Sequence, residues 1–97
     1  MAMRIRVWRV RLHDANGTLY TASVWGAPRP DGLWLGWIEF VSEGGQQFRR
    51  TGPETTQSSL DALEYWVAGL EPAYYEGAFD RAQERAFAFP ARPGAVL

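Results

Sequence analysis

Apolar and polar side chains alternate along three stretches in the first half of the chain, and each stretch runs into a turn that contains glycine. No other feature constrains the fold as much. A period of two places successive side chains on opposite faces of a strand, and tight glycine turns send the chain back antiparallel. Residues 4–12 (Arg-Ile-Arg-Val-Trp-Arg-Val-Arg-Leu) read as the first strand. Its apolar phase slips once: Ile5 and Val7 are odd-numbered, while Trp8, Val10 and Leu12 are even. A β-bulge near Val7-Trp8 would return both sets to one face. Asp14-Ala15-Asn16-Gly17 is a strong turn, because Asn-Gly tolerates the positive φ that hairpins demand.

The return strand covers residues 18–26, with Tyr20, Ala22 and Val24 on one face and Leu19, Thr21, Ser23 and Trp25 on the other. Pro28-Arg29-Pro30-Asp31-Gly32 breaks the ladder. Residues 33–42 form a third strand, with Trp34, Gly36, Ile38 and Phe40 on one side and Leu33, Leu35, Trp37, Glu39 and Val41 on the other. A strand apolar on both sides suits a central position or cover on both faces. Glu43-Gly44-Gly45-Gln46 turns the chain into a short fourth strand, Gln47 to Thr51, with Phe48 as its expected core anchor.

Beyond Gly52-Pro53 the period changes. A hydroxyl-rich run, Glu54 to Ser59, leads into a helix over 59–69. Ser58 with Asp61 fits a capping pattern, and Thr55 or Thr56 are alternative caps. Leu60, Leu63, Trp66 with Val67, and Leu70 make one apolar stripe. Gly69 suits a left-handed closing residue and Pro72 the first turn of a second helix running to Arg85. Tyr75, Phe79, Ala82 and Ala86 form that helix's stripe, and Phe87-Ala88-Phe89-Pro90 is expected to dock as an extended strip. The expected fold class is α+β: a four-stranded antiparallel β-meander followed by two α-helices packed on one face of the sheet. Residues 1–90 make a single α+β domain and 91–97 a flexible C-terminal tail. The helix over 59–69 should cover Tyr20, Val24, Trp34, Ile38 and Phe40.

Composition narrows the functional classes. Ninety-seven residues, 46% of them hydrophobic, suffice for one core. The absence of cysteine removes disulfides and thiolate chemistry. No run approaches the roughly 20 apolar residues of a membrane helix. Met1-Ala2-Met3-Arg4-Ile5 enters a strand pattern directly, with no signal-peptide apolar segment, so a soluble cytoplasmic protein is expected. All ten basic residues are arginine, which suits phosphate contacts and stacking. Together with abundant Ala, Gly and Pro it also fits a GC-rich genome. Residues 1–50 carry seven arginines against four acids, whereas residues 51–97 carry three against seven. Such a dipolar molecule can pair with itself or steer an anionic partner. Its net charge of −1 is far from that of a dedicated nucleic-acid binder.

No catalytic constellation stands out. His13 is the single histidine, beside a turn, with no nucleophile and orienting group at triad spacing. One imidazole without thiolates makes no metal site, and Gly44-Gly45 lies between strands, not before a helix. The expectation is therefore a non-enzymatic module with no cofactor. Two surfaces are candidates. The first is the sheet face opposite the helices: Trp25, Leu35 and Trp37 as anchors with Leu19, rimmed by Arg9, Arg11 and Arg49. Aromatic residues and arginine dominate interface hot spots, so a homodimer or another protein is the expected partner there. A nucleic acid stacked on the same aromatics and arginines is the alternative. The second is an anion site at the start of the helix, made by Thr55, Thr56, Ser58 and Ser59, where free backbone N–H groups gather.

The run Glu54-Thr55-Thr56-Gln57, followed by Leu63, Trp66, Gly69-Leu70 and Tyr75-Glu76-Gly77-Ala78, resembles small uncharacterised bacterial proteins from GC-rich genomes over about residues 17–82. That group has no assigned activity. The resemblance implies a stand-alone bacterial domain and transfers no site.

Overall fold

A computed structural model describes residues 1–84, and the expectations for 85–97, including the docking strip and the tail, lie outside the described residues. Among the described residues, strands β1 (Met3–His13), β2 (Leu19–Pro28), β3 (Trp34–Ser42), β4 (Phe48–Arg50) and β5 (Thr55–Gln57) precede helices α1 (Leu60–Ala68) and α2 (Pro72–Glu84). The architecture is α+β, an antiparallel sheet followed by two helices. The meander runs in the order β1-β2-β3-β4, as the alternation predicts. Gly17, Gly32 and Gly45 take positive φ in the three turns, where a side chain would be strained.

β5 is the departure. The hydroxyl run read as a lead into the helix pairs with Trp34–Gly36 of β3, just beyond the part of β3 that pairs with β4. Gly52-Pro53 interrupts the sheet edge instead of ending it. Pro53 has no N–H to donate, and Thr51 bridges the gap. Its backbone N–H donates to the Ile38 carbonyl at 2.9 Å, and its hydroxyl accepts from the Ile38 N–H at 3.1 Å. β-branched Thr55 and Thr56 then suit a strand better than a helix lead.

The phase slip in β1 is resolved by two register shifts against β2, one between Arg4 and Arg6 and one between Trp8 and Leu12. The expected bulge at Val7-Trp8 is thus displaced toward both ends. Ile5, Trp8 and Leu12 all pack on the core, and Val7 is left exposed.

The core lies between one sheet face and the two helices. Gly26 and Gly36 oppose each other across β2 and β3, and together they leave a dent. Leu63 of α1 fills it: a Cβ on Gly26 would stand 2.5 Å from Leu63 Cδ2, and one on Gly36 2.8 Å from Cδ1. Burying this leucine stabilises by roughly 1.5–3 kcal/mol. α2 covers the other end. Tyr75 stacks on Trp8 with centroids 4.3 Å apart, and Phe79 meets Tyr20 at 5.0 Å and Phe40 at 5.1 Å. Ala78 and Ala82, both buried, let the helix backbone approach the sheet.

Helix ends differ in detail from the pattern. Ser59, not Ser58, is the N-cap, accepting the Ala62 N–H at 3.1 Å. Gly69 closes α1 with φ −87°, not in the left-handed region. The N–H groups of Gly69 and Leu70 reach back three residues, to Trp66 and Val67, in a tightened last turn. Phe48 is not a core anchor: it lies across from Val41, on the sheet face away from the helices, and is exposed. No helix among the described residues is long and apolar enough to cross a membrane.

Candidate functional site

The register places Trp25 directly opposite Trp37, on the sheet face away from the helices. Each indole N–H is used within its own strand: Trp25 donates to Ser23 Oγ at 2.9 Å and Trp37 to Glu39 Oε2 at 3.0 Å. Glu39 lies 3.5 Å from the Arg50 guanidinium. Trp37 is 5% exposed, Glu39 1% and Arg50 8%, so this face is closed at its centre within a single chain. Trp37, expected as an interface anchor, is buried in the chain. β3, apolar on both sides, is a strand covered on both faces. Trp25, Leu35 and Leu19 are half-buried around this centre.

The arginines expected at the rim are dispersed. Arg9 is exposed. Arg11 pairs with Glu43 at 2.9 Å and lines a polar cavity of about 340 Å³ with His13, Glu76, Phe79 and Asp80. Arg49 lies on the helix side, because it stands opposite Phe40 in the register. There its guanidinium sits 5.5 Å over the Tyr20 ring and 3.9 Å from Asp14. The four hydroxyl residues of the proposed anion site are not gathered either. Thr55 stands opposite Gly36 and Thr56 opposite Leu35, on opposite faces of the sheet. Ser59 spends its oxygen on the cap, Ser58 is exposed, and Asp61 adds a negative charge in the first turn.

A different surface emerges on the outer side of α1. The buried line of this helix is Leu63 and Val67. At 3.6 residues per turn, Tyr65 falls opposite that line and Trp66 on its flank. Tyr65 is accordingly 85% exposed. Trp66 turns toward α2, where its ring meets Tyr74 edge-to-face, 5.6 Å between centroids and 88° between planes. Tyr65, Trp66, Leu70 and Tyr74, with Ala62, line an open groove of about 640 Å³, to which Gln57 and Asp61 add polar groups.

Tyr74 is a fixed wall of this groove. Its hydroxyl donates to Glu54 Oε1 at 2.6 Å, and the Arg81 guanidinium lies 5.6 Å over its ring while pairing with the same Glu54 oxygen. Burial, reinforced by the Glu54 hydrogen bond, pushes the Tyr74 phenol up to about 12. The Glu54–Tyr74–Arg81 cluster therefore ties the start of β5 to α2 and holds one aromatic wall in place. The apolar stripe of the sequence includes Trp66, which packs against the core as well as lining the groove, but neither Tyr65 nor Tyr74. The available signal was the dipeptide Tyr65-Trp66: neighbours on a helix, about 100° apart, cannot both face one sheet.

Compared with protein-family models, with curated proteins and with solved structures, the chain matches none. Geometry alone carries the functional argument.

Proposed function

We propose that this domain is a protein-interaction module that docks a partner in the groove between α1 and the start of α2. The observation that supports this most directly is Tyr65, a large aromatic side chain 85% exposed beside the packed Trp66–Tyr74 pair. An isolated exposed apolar residue needs no explanation, but a contiguous apolar groove with a fixed wall is the usual form of a recognition surface. The wall is pre-organised by Glu54 and Arg81, so little ordering is required when a partner arrives. Self-association through the Trp25–Trp37 face is the weaker version of this reading, because the centre of that face is already buried.

The test is titration of the isotope-labelled domain with short peptides bearing one large apolar residue, followed by backbone amide shifts. Saturable shifts confined to Tyr65, Trp66, Leu70 and Tyr74, abolished in a folded Tyr65→Ser variant, are expected. Truncation of an aromatic anchor should weaken binding by about 2 kcal/mol or more. Shifts scattered over the surface, or none, would refute the proposal.

A further inference from the structure

Selectivity in an apolar groove is set by the few polar groups around it, and the one charged side chain in this lining, among the described residues, is acidic. Asp61 lines the groove. Glu64 and Glu71, next in sequence to Tyr65 and Leu70, are both exposed. α1 holds Asp61 and Glu64 and no basic residue. Its C-terminal end, at Gly69 and Leu70, is also part of the lining. That end carries the negative pole of the helix, and no basic side chain stands in the last turn. Arg6 reaches one of the carbonyls there, Val67 O, at 3.3 Å. The three aromatic rings add faces that attract cations. Tyr74 already holds one: Arg81 lies over its ring, its charge answered by Glu54.

We infer that the groove receives a cationic side chain, an arginine or lysine carried beside a large apolar residue on a partner protein. This rests on the docking reading above and adds the partner's chemistry. The apolar neighbour fills the lining at Tyr65, Trp66 and Leu70. The cation lies against a ring face within reach of Asp61. Charge disfavours a second copy bound through the same face, since it would bring the acidic residues of the two α1 helices together. The phosphates of a nucleic acid would meet the same repulsion.

The experiment uses the full chain and blocked peptides Gly-Arg-Phe-Arg-Gly, Gly-Gln-Phe-Gln-Gly and Gly-Glu-Phe-Glu-Gly, titrated while amide shifts of Tyr65, Trp66 and Gly69 are followed. The arginine peptide should bind more tightly than the glutamine peptide by about two- to fivefold per charge contact, the magnitude of an exposed ion pair. The glutamate peptide should bind least, and salt should narrow the differences. Asp61→Asn should remove part of the arginine peptide's advantage over the glutamine peptide. Equal affinity for the arginine and glutamine peptides overturns the cation inference and leaves the docking reading standing. Absence of groove shifts with every peptide overturns both. A solution mass that rises with concentration and falls back in Tyr65→Ser identifies a second copy as occupant, which also overturns the inference.

Discussion

Gly26 and Gly36 show how much a missing Cβ can decide. They face each other across the central strand pair, and the two methyl groups of Leu63 are aimed one at each. An alanine at position 26 would bring its methyl to 2.5 Å from Leu63 Cδ2. Leu63 is fully buried and has Gly36 on its other side, so it cannot simply swing away. Gly26→Ala should therefore destabilise by about 1–3 kcal/mol in urea unfolding. Combined with Leu63→Ala it should cost clearly less than the sum of the two single changes, because the clash is gone. Tyr75 presents the opposite case. Its ring stacks on Trp8, but its buried hydroxyl has no hydrogen-bond partner among the described residues. Burial pushes this phenol up against the pull of Arg6. Tyr75→Phe keeps the stack and removes an unsatisfied polar atom, so the variant should be as stable as the parent or more stable by about 1 kcal/mol.

At the scale of elements, the contact between the start of β5 and α2 depends on the protonation of one phenol. Tyr74 donates to Glu54 only while its proton is present. In the unfolded chain that proton leaves near the ordinary value of 10.0, whereas the folded chain holds it to about 12. Between those values the folded state binds more protons than the unfolded state, so stability falls as pH rises through the window. Below pH 10 the contribution is complete. Chemical unfolding measured across this range should show a steeper decline for the parent than for Tyr74→Phe; identical slopes would mean that Tyr74 is not coupled to folding. This contact is not legible in the sequence, because Glu54, Tyr74 and Arg81 are brought together only by β5, and a three-residue strand of hydroxyl and amide residues carries no apolar alternation to announce it. The meander was legible, because alternation and three turns leave little choice of register. The bulges in β1 were legible as a need but not as a place, since a phase slip reveals that a residue must be extra without saying which one. Arg49 does not join the rim arginines, because the side taken by a short edge strand follows from its register with β3, and five residues of alternation do not set that register. Tyr65 and Tyr74 are not legible from the apolar stripe, because a stripe that matches the sheet does not say what the adjacent aromatic faces.

For the whole molecule the question is which aromatic surface holds the fold together and which is free for a partner. The sequence shows large apolar residues on both sides of the sheet, and a surplus of that kind can be met by another molecule or by the chain itself. The two explanations differ in what a truncation does. Trp37 is 5% exposed, its indole N–H is donated to a buried Glu39, and Glu39 in turn pairs with a buried Arg50. Trp37→Ala would leave a cavity and remove one partner of a buried carboxylate, so a loss of about 3–5 kcal/mol of folding stability is expected. Tyr65 projects from the opposite layer, 85% exposed, with no structural load to lose. Tyr65→Ser should shift the unfolding midpoint by no more than about 0.5 kcal/mol, the range of ordinary surface changes, while eliminating peptide shifts at the groove. Denaturation curves of the two variants beside the parent, read together with their solution masses, separate the roles. If Trp37→Ala leaves stability intact and only lowers the solution mass, the far face is an interface after all. If Tyr65→Ser unfolds the domain, the groove belongs to the core.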